Sequence, residues 1–253
     1  NDIFLCDSGG QYKFGTTGTL DGTLTHKLVL EGLFGETHLV TTTNELIDKK
    51  TLSPFRIKSL VLQYPEEMRK QIKSYTYKEE IDVIISNEKR NKFIRNLAIS
   101  LNTNTLILFQ MVENHGKILY DLIKEKAKDG RKVFFVYGGT ETTDRENIRK
   151  AVENETNAIV VASYGTFSTG INITNLHNII FASPSKSRIR NLQSIGRSLR
   201  QNKSKKIATL YDIADDFSYK NYKNYTLNHF VERIKLYNEE QFEYTIITVP
   251  INS

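Results

Sequence analysis

From Thr105 onward, apolar runs alternate with amphipathic segments. Leu106–Phe109 reads as a strand. Gly116–Lys128 carries Ile118, Leu119, Leu122 and Ile123 at helical spacing and stops at Asp129-Gly130. Lys132–Tyr137 reads as a strand that runs into Gly138-Gly139. A helix over Thr143–Glu153 and a strand over Ala158–Ser163 follow. Next come a strand over His177–Ala182, a helix over Ser185–Arg200 and a strand over Ile207–Ile213. The chain closes with a helix over Leu227–Glu240 and an extended Phe242–Val249. Strands that alternate with helices need crossover connections, which predicts an α/β fold: a mostly parallel sheet, from Ile57 to Ile213, with helices on both faces. Ala158–Ala162 is apolar on both faces and fits a strand inside that sheet.

The first third reads differently. Tyr12–Thr19 is an isolated strand among glycines and threonines, and Leu24–Phe34 is a helix with Asp21 or Thr23 as its cap. Thr43–Lys49 is a short helix, Ser53-Pro54 a break, and Ile57–Tyr64 a strand. Tyr77–Leu101 is one long helical pattern with a candidate break near Ser86-Asn87. Residues 1–34 are too few to bury a core of their own, and read as the trailing edge of another domain.

Charge changes the picture in one place. The net charge is +6, from 35 Lys and Arg against 29 Asp and Glu. Ser185–Lys206 holds eight of those bases and no acid, so the rest of the chain is slightly acidic. A basic block on a near-neutral body points to a phosphate-rich partner, although many such runs are only a solvated helix face. No apolar run reaches membrane-spanning length, no signal peptide opens the chain, and one cysteine, Cys6, leaves nothing for an internal disulfide or a cysteine metal cluster. These features predict an intracellular protein without a membrane partner. A start at Asn1 rather than Met suggests a longer parent chain.

Inside the basic block lies Gln193-Ser194-Ile195-Gly196-Arg197-Ser198-Leu199-Arg200. At roughly 100° per residue, Gln193, Arg197 and Arg200 share an arc roughly 60° wide beside the apolar stripe of Ile189, Leu192, Ile195 and Leu199. Gly196 sits where a missing side chain permits close approach. Two guanidiniums on one turn suit a polyphosphate, because each is a fixed fork of donors with a permanent charge. Ile159–Ile173 is a strand followed by hydroxyls and glycine, namely Ser163, Thr166, Ser168, Thr169 and Gly170, and then Asn172. In a parallel sheet such a loop, after the carboxyl end of a strand, is where ligands bind. Gly138-Gly139-Thr140 is a strand-to-helix turn with backbone N–H groups for a phosphate. Phe14–Thr19 is a strand ending in a hydroxyl cluster. Each of the last three has an ordinary turn as its simpler explanation.

Together these segments resemble the second RecA-like domain of superfamily-2 helicases. Gln193, Gly196, Arg197 and Arg200 match motif VI; Ser163 to Asn172 resembles motif V; Leu106–Gln110 looks like motif IV; and Thr17-Gly18-Thr19 resembles motif III. At finer grain, FGTTGTLDG, TTTNELID, VASYGTFSTGI, QSIGRSLR and ERIKLYNEEQFEY are similar to the bacteriophage UvsW-type recombination helicases. The resemblance implies a RecA-like, P-loop NTPase-type domain over residues 41–253. It implies that residues 1–40 trail from a first RecA-like domain. It also implies ATP and Mg²⁺ as cofactors and DNA, branched or junctional, as partner, with the cytoplasm of an infected host as setting. Arg197 and Arg200 become arginine fingers aided by Gln193, while Gly170, Asn172 and Gly196 border the nucleotide. Ser163, Gly139, Thr140 and Gln110 fall near the nucleic-acid backbone, and Thr17 and Thr19 couple the two domains.

The chain also departs from the family. No G-x-x-x-x-G-K-[ST] occurs, since Gly116-Lys117 is followed by Ile118, and there is no Asp-Glu box. Those motifs hold the phosphates and Mg²⁺ and position the attacking water. Asn172 stands where many relatives have Asp, and Leu20 where many have Pro. Two other readings stay open: an ATP-independent nucleic-acid-binding module, and half of an RNA helicase.

Overall fold

The structure is a computed structural model that describes residues 24–36, 38, 55–128, 130–170, 173, 175–183, 208–239 and 241–251. The chain divides into two compact units, Asn1–Thr42 and Thr43–Ser253. In the first, the expected helix is present as α1, Leu24–Phe34, and Leu28, Val29 and Leu33 on it are exposed. The expected strand at Tyr12–Thr19 and the helices at Thr43–Lys49 and Ser185–Arg200 lie outside the described residues, as do Thr17, Thr19, Asn172, Gln193, Gly196, Arg197 and Arg200.

The second unit is built on a seven-stranded sheet. Its strands are β1 Phe55–Gln63, β2 Thr105–Phe109, β3 Val133–Val136, β4 Ile159–Ser163, β5 Asn178–Phe181, β6 Ala208–Asp216 and β7 Tyr244–Pro250. They run in the order β3-β4-β2-β5-β6-β1-β7, and every pair is parallel. The sheet therefore extends past Ile213. The extended tail becomes β7, hydrogen-bonded to β1 on the outer edge, where Ile246 and Ile247 remain exposed.

Alternate residues of the inner strands enter two separate apolar layers. Leu106, Leu108, Val160, Ala162, Ile179 and Phe181 face one; Ile107, Phe109, Ile159, Val161 and Ile180 face the other. This two-sided burial explains why these strands read as continuous apolar runs. The second layer is covered by α2 Glu66–Ile72, α3 Tyr77–Ser86, α4 Glu88–Ser100 and α5 Lys117–Lys126. The first is covered by α6 Thr142–Glu153, α7 Tyr164–Gly170 and α8 Tyr225–Glu239. Crossovers that move in opposite directions along the sheet put their helices on opposite faces, as the right-handed rule requires.

Local chemistry sets the helix boundaries. Thr76 and Glu79 form a reciprocal capping box at the start of α3. Asn87 ends α3, and its Oδ1 accepts the Arg90 N–H at 2.9 Å to start α4, which makes the break at Ser86-Asn87 real. The helix α2 was not visible in the apolar pattern: seven residues with Met68 and Ile72 inward are too few for a periodic signal. The segment expected to begin at Gly116 instead opens with a π-helical turn, Val112–Gly116. Gly116 is needed there, because a Cβ would stand 2.5 Å from the Phe109 ring.

One buried ion pair joins three elements at the carboxyl edge of the sheet. Arg90 of α4 donates to Asp215 of β6 from Nε at 2.7 Å and from Nη2 at 3.1 Å, and both side chains are wholly buried. Tyr64, just past β1, donates its hydroxyl to the same carboxylate at 2.8 Å. Burial pulls the guanidinium down, but the Asp215 charge, the Tyr64 phenol and the hydrogen bond to Asp215 together outweigh it and hold Arg90 above its ordinary range. Asp215→Asn is expected to destabilise the fold by about 3–5 kcal/mol in urea unfolding, because it leaves an uncompensated buried cation. The double variant Arg90→Met/Asp215→Leu should regain a large part of that loss.

Candidate functional site at the carboxyl edge of the sheet

Neighbouring parallel strands end together, so the loops after them share one edge. Phe109, the last residue of β2, pairs in register with Ser163, the last of β4, and Val136 at the end of β3 pairs with Ala162. Gln110 follows β2, Gly139 and Thr140 follow β3, and Ser163 closes β4. These four expected site residues are thus brought to one edge by three adjacent strands. Gly170 is carried farther off by α7, whose seven residues span roughly 10 Å.

The segment after Ser163 is a helix, contrary to the loop expected there. Ser163 Oγ lies 2.7 Å from Thr166 Oγ1 and accepts the Thr166 N–H at 3.4 Å, so two of the hydroxyls that suggested a ligand loop, those of Ser163 and Thr166, close the first turn of α7. Tyr164 and Phe167 then enter the apolar layer. The turn after β3 is also closed on itself. Thr140 N–H donates to the Tyr137 carbonyl, Thr140 Oγ1 accepts the Tyr137 N–H, and Arg145 donates to the carbonyls of Thr140 and Gly138. Gly138 and Gly139 are exposed at its tip, two residues ahead of α6. A Cβ at Gly139 would meet the Tyr137 ring at 2.6 Å.

Behind this edge lies a cluster that sequence reasoning missed. Ser183, two residues past β5, accepts the Gln110 N–H on its Oγ at 3.0 Å. The same Oγ lies 2.8 Å from His115 Nδ1, in the π-helical turn. Arg90 Nη2 donates to the Ala182 carbonyl at 2.8 Å, and Tyr164 donates its hydroxyl to the Ser183 carbonyl at 3.4 Å. An apolar cleft of about 170 Å³ opens beside the cluster, lined by Tyr77, Ile81, Ile85, Gln110, Met111 and Ser183. A signal for Arg90 did exist, since it stands one and two turns before Ile94 and Ala98 on the stripe that α4 buries. For His115 and Ser183 there was none. A π-helical turn has no apolar period, and Ser183 looks like any polar residue after a strand.

Among the described residues, no group of three or more His, Cys, Asp or Glu comes together to hold a metal ion.

Comparison with known proteins fits this geometry. Residues 88–202 match the family described as the helicase conserved C-terminal domain. The chain is 39% identical over 251 residues to the ATP-dependent DNA helicase uvsW of Enterobacteria phage T4, covering 94% of this chain and 49% of that protein. It thus spans about half the length of the curated relative it matches. The crystal structure of T4 UvsW superposes with a TM-score of 0.70 at 41% identity, over 87% of this chain and 45% of that one. The DNA-bound ATP-dependent Type ISP restriction-modification enzyme LlaBIII matches with a TM-score of 0.58 over 94% of this chain and 18% of its own, but at 13% identity it attests the fold alone.

The buried imidazole makes stability depend on pH. Burial, reinforced by the Arg90 charge, pushes His115 down to about 3. The unfolded chain takes up this proton below about 6.5, whereas the folded chain refuses it until about 3. Stability is therefore full above the unfolded value and is lost as pH falls through that window. Between about pH 7 and 5 the protein should lose about 2 kcal/mol more than His115→Gln does, measured by urea unfolding at each pH.

Proposed function

The chain carries a domain of the helicase conserved C-terminal family, and on that premise we propose that it is the second RecA-like half of an ATP-dependent DNA helicase. The observation that carries this reading is the 39% identity to the phage T4 helicase across 94% of the chain. The meeting of Gln110, Gly139, Thr140 and Ser163 at one edge supports it. In this reading residues 41–253 form the second motor domain, and residues 1–40 trail from the first, with Thr17 and Thr19 coupling the two.

ATP, with Mg²⁺, binds chiefly on the first domain and supplies the phosphoryl transfer that drives movement. This chain contributes Arg197 and Arg200, whose guanidiniums offset charge developing on the γ-phosphate, and Gln193 beside them. Gly170, Asn172 and Gly196 border the nucleotide. Gln110, Gly139, Thr140 and Ser163 meet the phosphate backbone of DNA, where contacts hold a strand without reading its sequence. The substrates are branched DNAs of recombination and stalled replication, and the site of action is the host cytoplasm.

The discriminating experiment is made in the full-length protein with Arg197→Ala, Arg200→Ala and Lys203→Ala. Each finger variant is expected to lose roughly 10³-fold in ATP turnover at saturating DNA. DNA affinity should change little, because one charge is a small part of a many-phosphate footprint. Lys203→Ala, in the same basic block but outside the motif, should spare hydrolysis. If all three variants show equal, modest losses of DNA affinity with turnover intact, the segment is a nucleic-acid-binding face and the motor reading fails.

A further inference from the structure

Three large apolar side chains stay exposed around the cleft at the carboxyl edge: Tyr77 at 40%, Met111 at 38% and Tyr225 at 44%. Tyr77 and Met111 line the cleft with Gln110, and the Tyr77 ring stands edge-on to Tyr225 at 5.9 Å and to His229 at 5.5 Å. The local sequence accounts for the arrangement. Tyr77, Ile81 and Ile85 recur every four residues and so share one stripe of α3, while Met111 follows Gln110 in the loop after β2. Ile81 and Ile85 are buried and form the floor; Tyr77 and Met111 form the rim. Both sides of the rim are held from behind. Ser183 Oγ accepts the Gln110 N–H, and Glu80, one turn beyond Tyr77, accepts the Tyr225 N–H at 2.9 Å. A ring already fixed in this way loses little freedom when a ligand stacks on it. Among the described residues that line the cleft, Lys78 is the one charged group and none is acidic. Exposed Lys220 and Lys223 lie in Tyr219-Lys220-Asn221-Tyr222-Lys223-Asn224-Tyr225, the turn after β6, which reaches the same edge because β6 runs parallel to its neighbours.

We propose that the cleft is a nucleobase subsite, which takes one unstacked base of the DNA strand whose backbone meets Gln110. The inference rests on the DNA-track reading above. The Tyr77 ring supplies the stacking face, Met111 an adaptable second wall, and Lys78 the charge for a flanking phosphate. The volume of about 170 Å³ lies below the roughly 300–1,000 Å³ of a site for a drug-sized molecule, which suits a single flat base rather than the side of a partner's helix. Every base has a face to stack, so the grip stays indifferent to sequence, as movement along DNA requires. A base inside a duplex must leave its stack to enter, so the subsite favours single-stranded DNA.

The test uses the full-length protein with Tyr77→Ala, Tyr77→Phe and Met111→Ala. Binding is measured to two single-stranded oligonucleotides of equal length, one of thymidines and one of abasic residues, over a range of salt and beside Tm. Tyr77→Ala should weaken binding of the thymidine strand about tenfold, the loss of one base–aromatic stack, and leave the abasic strand within roughly twofold. The salt dependence should not change, since no phosphate contact is removed. Tyr77→Phe, which keeps the ring, should bind as the unaltered protein does. Met111→Ala should lose affinity for the thymidine strand alone, which keeps the idea testable if Tyr77→Ala folds poorly. Unchanged binding of the thymidine strand by both alanine variants would overturn the inference. So would equal losses on the two strands, which mark general damage to the edge, or a loss that Tyr77→Phe shares. If the unaltered protein binds neither strand, the DNA-track reading fails and this inference falls with it. If it binds the two strands alike, the inference fails alone.

Discussion

A guanidinium with no access to water must be neutralised where it sits, and that demand organises the carboxyl edge of this sheet. Arg90 enters from α4 and can be matched only by a carboxylate on a strand deep in the sheet, which β6 supplies as Asp215. The pair then recruits what surrounds it. Tyr64 donates to the carboxylate, Phe217 stacks on the Tyr64 ring at 4.0 Å, and Arg90 Nη2, besides its bond to Asp215, donates to the carbonyl of Ala182. Two charges removed from water add little net stability to a fold, but an unmatched one is expensive, so the pair fixes a single arrangement of α4, β1, β5 and β6.

Two further buried carboxylates repeat the device. Glu80 of α3 accepts the N–H groups of Tyr225 and Thr226, the Thr226 hydroxyl and the Asn224 amide, at 2.7–2.9 Å. A carboxylate placed there satisfies orphan donors at the start of α8 and meets the positive end of its dipole. Asp212 of β6, three residues before Asp215, accepts from Arg233 and Tyr237 of α8. The strand β6 thus sends one acid to each layer of helices, and α8 is held at its start by Glu80 and along its length by Asp212.

Within these limits the fold was largely written in the order of apolar residues. The inner strands β2, β4 and β5 could be read because a strand buried on both faces is a continuous apolar run, and a run of that kind needs no partner to be recognised. The break at Asn87 was legible because an Asn cap acts through its immediate neighbours. Seven-residue α2 and the π-helical turn were not, because each is set by what packs against it. The edge shared by Gln110, Gly139, Thr140 and Ser163 followed from parallel topology, since strands that run the same way must end on the same side.

What the sequence determined by itself is the family and the parallel sheet, because motif spacing and apolar period are local properties of the chain. The partners across distance were decided only by tertiary structure. Nothing local says that Arg90 meets Asp215, 125 positions away, or that Ser183 accepts from Gln110, 73 positions away. Nor does the motif-like run from Ser163 say that the hydroxyls of Ser163 and Thr166 close a helix turn. A hydroxyl or a charge keeps its chemistry wherever it lies, and its role is fixed by which group the fold brings within hydrogen-bonding distance and whether water can still reach it.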